Sequence, residues 1–143
     1  GWACWKTYLG RAEDDQIRGM AMNLLGNGLH CGGHYEEALS VKEAALSTLR
    51  RSGASEDNIL ATQTNLACTY GELGNHEKAL SIERDIYSGR LKLQGEENSR
   101  TIIAALNYAA TFLRLRRYAE AKALLCETVP VVRRVLGERN ELT

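Results

Sequence analysis

An internal repeat limits what this chain can fold into more than any other feature. The stretches "LGNGLHCGGHYEEALSV", "NLACTYGELGNHEKALSI" and "NYAATFLRLRRYAEAKAL" superpose on Ala38, Ala79 and Ala121, which stand 41 and 42 residues apart. A fixed period of that size marks stacked supersecondary units. In this register Leu25-Gly26, Leu66-Ala67 and Tyr108-Ala109 are equivalent, and Leu29, Tyr70 and Phe112 follow four residues after the first of each pair. Large, small and large again at helical spacing predicts a helix pressed against a close neighbour. Gly33, Gly74 and Arg116 mark a turn, and Tyr35, His76 and Tyr118 open a second helix carrying the small Ala38, Ala79 and Ala121. Small residues are required where two helices cross closely.

The second helices are predicted to end at Gly53, Gly95 and Gly137, glycine being suited to a left-handed C-terminal cap. Arg50, Arg51, Lys92, Arg133 and Arg134 gather before those caps, at the negative ends of the helix dipoles. Glu56-Asp57, Glu96-Glu97 and Glu138 are expected to open the next helices. Residues 2–9 look like the end of an earlier second helix, since "YLGRAEDDQ" matches "VLGERNELT" in character. The expected division is 1–14 as the tail of a preceding unit, 15–56 as repeat 1, 57–98 as repeat 2 and 99–143 as repeat 3. One hairpin cannot bury both of its faces, so about three must stack. The predicted architecture is a single all-α domain, an αα-superhelix or solenoid of helix-turn-helix units. Pro130 removes a backbone donor within the last helix and should bend it near Cys126–Glu127. Trp2 and Trp5 are expected to cover the open start of the array.

The period is about forty-two residues, and with "NLACTYGELGNHEKAL" as its most faithful copy the pattern resembles the tetratricopeptide repeat, in the long variety seen in kinesin light chains. Arg116 departs from it where a turn glycine belongs, and Leu24 stands where Asn65 and Asn107 do in the other copies. The resemblance implies a right-handed superhelix whose first helices line a concave groove for a peptide or partner protein, in a scaffold that is no enzyme. The groove positions carried over are Met20, Asn23, Asn27, His30 and Cys31 from repeat 1, Thr64, Cys68 and Glu72 from repeat 2, and Ile103, Leu106, Ala110, Leu113 and Arg114 from repeat 3. Chaperone-binding relatives hold a terminal carboxylate with cations. Here Ile103 and Asn107 occupy the places where the third-repeat cations would stand, which disfavours that ligand. Kinesin light chains grip acidic peptides with groove asparagines and basic residues; Asn23 and Asn27 fit that pattern, whereas Thr64 and Leu106 do not.

Charge and composition narrow the partners. Eighteen basic side chains balance eighteen acidic ones, so nothing draws the chain to nucleic acid or to an anionic membrane. A charged fraction of 25% with a single Pro fits a folded helical protein, and four scattered cysteines read as reduced thiols. No apolar run approaches the roughly 20 residues that span a bilayer. The N-terminus lacks the layout of a secretory signal, so a cytoplasmic location, or an organelle interior within a complex, is expected. Beginning at Gly1 and stopping at Thr143 without a tail, the chain is expected to be part of something longer. No cofactor is expected. The runner-up to a binding scaffold is a structural subunit or spacer arm of a larger assembly or signalling protein.

One local cluster offers chemistry. Cys31-Gly-Gly-His34, with His30 beside it, has metal-ligand spacing, but a tetrahedral site needs two more donors and no second close pair exists. Cys31 beside His30 is also the one candidate nucleophile and base. Against both stands the simpler reading that Gly32 and Gly33 form the turn between two helices.

Overall fold

The computed structural model describes residues 2–141, and the side chains of residues 14–137. Six helices follow one another: α1 (Trp2–Cys31), α2 (Tyr35–Arg51), α3 (Glu56–Glu72), α4 (His76–Gln94), α5 (Ser99–Arg114) and α6 (Tyr118–Glu141). The described residues contain no strand, so the protein is all-α. No helix among them is long and apolar enough to cross a membrane.

The second helices begin at Tyr35, His76 and Tyr118, the residues the repeat register predicts. The turns before them have a common chemistry. In the first, Gly33 N–H donates to His30 O and His34 N–H to Leu29 O; in the third, Arg116 N–H donates to Leu113 O and Arg117 N–H to Phe112 O. These paired bonds satisfy the carbonyls left free at a helix end and require one residue with positive φ. Gly33 supplies it at 82° and Gly74 at 80°, whereas repeat 3 forces Arg116 to 61°. Each first helix after α1 is started by a polar cap: Ser55 Oγ accepts from Asn58 N–H at 3.3 Å, and Asn98 Oδ1 from Arg100 N–H at 2.9 Å.

Three expectations at helix ends are corrected. Residues 2–9 do not form a helix of their own, because α1 runs unbroken from Trp2 to Cys31. Likewise Gly137 ends nothing, since α6 continues to Glu141. The residues after each glycine explain both: Gly53 precedes Ala54 and the capping Ser55, while Gly10 is followed by Arg-Ala-Glu and Gly137 by Glu-Arg, all good helix formers. Thirdly, Glu96 and Glu97 precede α5 instead of opening it, and both reach Arg134 of α6, at 3.1 and 2.9 Å. Arg134 therefore ties the α4–α5 loop to α6 as well as lying near its end. Pro130 stands inside α6. Trp2 and Trp5 lie outside the residues whose side chains are described.

The chain divides into two compact units, residues 1–74 and 75–143. In the first, α2 packs against both α1 and α3. Ala38 and Ala45 are fully buried there, with Leu46, Leu49, Leu60 and Leu66 around them. In the second unit α5 packs against both α4 and α6. Its core is Leu80, Ala105, Ala109, Phe112, Ala121 and Leu124, extended by Tyr108 stacked at 4.6 Å on Phe112. Ala38, Ala79 and Ala121 are all buried to within 1% of complete, as their place at helix crossings demands.

Candidate functional site

The residues assigned to a groove fall into two groups, one in each unit. In the first unit they lie on α1 and α3. Met20 is exposed on α1, while Asn23, Asn27 and His30 are half-buried and Cys31 is exposed at its end. The Asn23 amide oxygen is shielded from water without a hydrogen-bond partner. On α3, Cys68 and Glu72 are exposed, whereas Thr64 is half-buried and donates its hydroxyl to Leu60 O at 2.8 Å. Thr64 thus has its only proton committed to its own helix.

A polar network joins these two helices, and its centre is a residue that the repeat pattern does not single out. Lys42 of α2 is 2% exposed, and its Nζ donates to Thr69 Oγ1 at 3.0 Å and to Asn65 O at 3.3 Å. Thr69 Oγ1 in turn donates to Asn65 O at 3.1 Å, and His30 Nδ1 lies 3.1 Å from the same hydroxyl oxygen. The Thr69 hydroxyl thus sits between the Asn65 carbonyl, the Lys42 ammonium and the His30 ring. Burial lowers the Lys42 pKa; nearby Cys68 and Cys31 oppose the shift. One residue along each helix, Tyr70 O–H donates to the Glu43 carboxylate. Burial and that carboxylate together push the Tyr70 phenol up to about 12.

The sequence holds one sign of this network: Lys42, Glu83 and Leu125 share one place in the repeat, and only the second-helix face that meets the next first helix lies there. In the second unit Glu83 occupies it. Burial raises its pKa, while the neighbouring Thr111 hydroxyl and the charge of Arg114 pull it down, and its Oε2 is shielded from water without a hydrogen-bond partner. Thr69 and Thr111 are themselves equivalent, both buried and both bonded back to an asparagine carbonyl four residues earlier.

The groove residues of the second unit form one stripe along α5. Ile103, Leu106 and Leu113 are 54%, 42% and 45% exposed, with Ala110 and Arg114 exposed among them. The opposite face of α5 holds Thr101, Ala104, Ala105, Ala109, Thr111 and Phe112, all buried. Gly32 and Gly33 form the turn, and His30 is engaged by Thr69. Among the described residues no three His, Cys, Asp or Glu side chains converge as a metal site would require.

Comparison with known proteins agrees with this architecture. No curated protein matches the chain in sequence. A single-substitution variant of a protein described as a kinesin light chain of Podosopora anserina, built of nearly identical TPR-like repeats, is similar over 84% of this chain and 57% of its own, at 17% identity and a TM-score of 0.73. The same protein without that substitution matches at 18% identity over 82% and 56%, with a TM-score of 0.72. BtubC (BKLC) from P. vanneervenii matches over 93% of this chain and 59% of its own, at 18% identity and a TM-score of 0.69. The chain thus spans somewhat more than half the length of each of these structures. The tetratricopeptide repeat profile matches residues 17–92, more than half of the sequence. With its helix-turn-helix period, its buried alanines and this match, the chain belongs to the tetratricopeptide repeat family.

Proposed function

We propose that this protein binds a peptide or a partner protein along the faces of its first helices, as a scaffold without catalytic chemistry. Tetratricopeptide repeats are generally protein–protein interaction scaffolds, which supplies the class. The observation that carries the finer reading is the α5 stripe: three large aliphatic side chains on one helix face left in water, opposite a face that is fully packed. Uncovered apolar area on an otherwise well-packed helix marks a surface that gains from being covered. On α1 and α3, Asn23, Asn27 and Glu72 add polar groups able to fix a bound backbone.

The test is affinity capture from the native source followed by mass spectrometry, with the binding of each captured partner then measured. Two variants are compared with the wild type: Ile103→Asp with Leu106→Asp, and Asn23→Ala with Asn27→Ala. Each is expected to weaken the same partner at least tenfold, or about 1.4 kcal/mol. Equal capture by the wild type and both variants would count against binding at these faces and favour the structural-arm role.

A further inference from the structure

We propose that Cys31 of α1 and Cys68 of α3 are a redox-responsive pair, which a hydroperoxide converts to a disulfide that fastens these two helices of the first unit together. Both residues carry exposed thiols. Short connections, residues 32–34 and 52–55, join α1 to α2 and α2 to α3, so the chain reverses twice and α1 and α3 run parallel. His30 Nδ1 lies 3.1 Å from Thr69 Oγ1, so these two residues face each other across the parallel helices. Each residue turns an α-helix by about 100°. One step forward from His30 and one step back from Thr69 therefore turn Cys31 and Cys68 to the same side of the pair. That side points away from α2, because the hydroxyl of Thr69 is held toward α2 by Lys42 Nζ at 3.0 Å. The exposure of both thiols beside a fully buried Thr69 agrees with this placement.

A third group lies near both sulfurs. Lys42 occupies the seat on α2, the face that receives the next first helix, and it interacts electrostatically with Cys31 and with Cys68. The two cysteines thus share one buried neighbour as well as flanking one contact. Cys31 is the last residue of α1 and runs into the Gly32-Gly33 turn. A helix end can make the small adjustment that disulfide geometry demands without moving the buried Ala38 and Ala45 behind it.

The step balances between the pair and its oxidant. One thiolate attacks the terminal oxygen of the hydroperoxide: the S–O bond forms, the O–O bond breaks, and an alcohol leaves with the proton that the thiol gave up. The second thiol then attacks the sulfenic acid so formed. The S–S bond forms, the S–O bond breaks, and hydroxide leaves as water with the second thiol's proton. Two electrons pass from the sulfurs to the peroxide. The resulting bridge encloses α2 in a covalent loop and removes freedom from the unfolded chain.

The test exposes the reduced full chain to hydrogen peroxide, blocks the remaining thiols with N-ethylmaleimide and maps tryptic peptides by mass spectrometry. Each of the four cysteines falls in its own tryptic peptide. The expected product is a monomer in which the peptide of residues 19–42 is linked to that of residues 52–78, with Cys4 and Cys126 alkylated. Cys31→Ser and Cys68→Ser should each abolish it, and circular dichroism checks that these exposed changes leave the fold intact. Protein oxidised in concentrated urea should scatter its links among several pairs. The linked protein should also unfold at a urea concentration higher by about 1 M or more, and dithiothreitol should reverse the shift. Native oxidation that leaves Cys31 and Cys68 unlinked, joins either to another cysteine or another copy, or scatters as in urea overturns the proposal. So does a link that lowers the urea midpoint, since the folded helices would then not accommodate the bridge. No readout involves a binding partner, so the outcome is independent of the proposed scaffold role.

Discussion

Replacing Lys42 by methionine is expected to stabilise the protein by about 1–2 kcal/mol at pH 7, because a buried ammonium without a facing carboxylate is costly to desolvate. The side chain has two parts with opposite effects. Its stem is packed: a Cβ added at Gly26 would come within 2.7 Å of Lys42 Cγ, so α1 has left space for the methylenes. Its head gives hydrogen bonds to Thr69 Oγ1 and Asn65 O, each worth about 1 kcal/mol net. Neither acceptor is orphaned by the exchange, since Thr69 still bonds Asn65 O and His30. Methionine keeps the stem volume and removes the several kcal/mol of desolvation that a buried ion carries. Alanine removes the stem too, and Lys42→Ala should fall below Lys42→Met by about 2–4 kcal/mol.

The pH dependence separates the charge from the packing. Burial lowers the folded-state pKa of Lys42 below its ordinary 10.5, so between those two values the unfolded chain binds more protons than the folded one. Wild-type stability gains from Lys42 as pH rises through that window, and the destabilisation is complete below it. Urea unfolding followed by circular dichroism at pH 7 and at about pH 10 should therefore show the advantage of Lys42→Met shrinking at the higher pH. Taking the difference between variant and wild type cancels the titration of the tyrosines. A methionine variant less stable than wild type, or one whose advantage is unchanged by pH, would refute the assignment of Lys42 as a net cost.

Three further outcomes rest on local geometry. Arg116→Gly should raise the urea midpoint by the equivalent of about 0.5–1 kcal/mol, because the left-handed backbone at φ 61° costs a non-glycine residue about 1–2 kcal/mol and glycine returns part of that as unfolded-chain entropy. Gly26→Val should lower stability by about 1–3 kcal/mol through collision with the Lys42 stem, and combining it with Lys42→Ala should recover part of the loss. In an ultraviolet titration Tyr70 should ionise near 12 and later than free tyrosine; as its pKa is raised in the folded state, stability falls across pH 10 to 12, and Glu43→Gln should bring its ionisation down.

Much of this arrangement is legible in the sequence. The start of each second helix can be read to the residue because a turn with positive φ, a following aromatic or histidine and a buried alanine recur together at Gly33/Tyr35/Ala38 and again at Gly74/His76/Ala79. Arg116 can be placed in the same turn despite being the wrong residue, since everything around it keeps register. The misread ends show the limit of a single-residue signal: Gly10 and Gly137 are as suited to capping as Gly53, and only the residues after them decide whether a helix stops. Groove exposure is readable on α5, where Ile103, Leu106 and Leu113 share a stripe, and unreadable at Thr64, whose hydroxyl is taken by its own helix. Lys42 escapes such a reading because a lysine in a repeat looks like solvated surface, and burial at 2% exposure depends on which neighbouring helix lands on it.

That one repeat position also bears on how such a chain keeps its helices in order. Nearly identical units could pair in the wrong sequence, since every second helix presents the same alanine and every first helix a small residue at one shared place. The α2 seat holds an ammonium that needs acceptors, and α3 presents them as Thr69 Oγ1 and Asn65 O. The α4 seat holds a carboxyl that needs a donor, with the Thr111 hydroxyl and the Arg114 charge as its favourable neighbours. The α6 seat holds Leu125 and needs neither. A mispaired α5 on α2 would bring Arg114 toward a buried Lys42, and a mispaired α3 on α4 would place Glu72, the counterpart of Arg114, toward Glu83. Each error brings like charges together at the edge of the seat. The residue at this position therefore matches each correct neighbour and opposes the incorrect ones, which is one way a repeat built from interchangeable parts can specify an order.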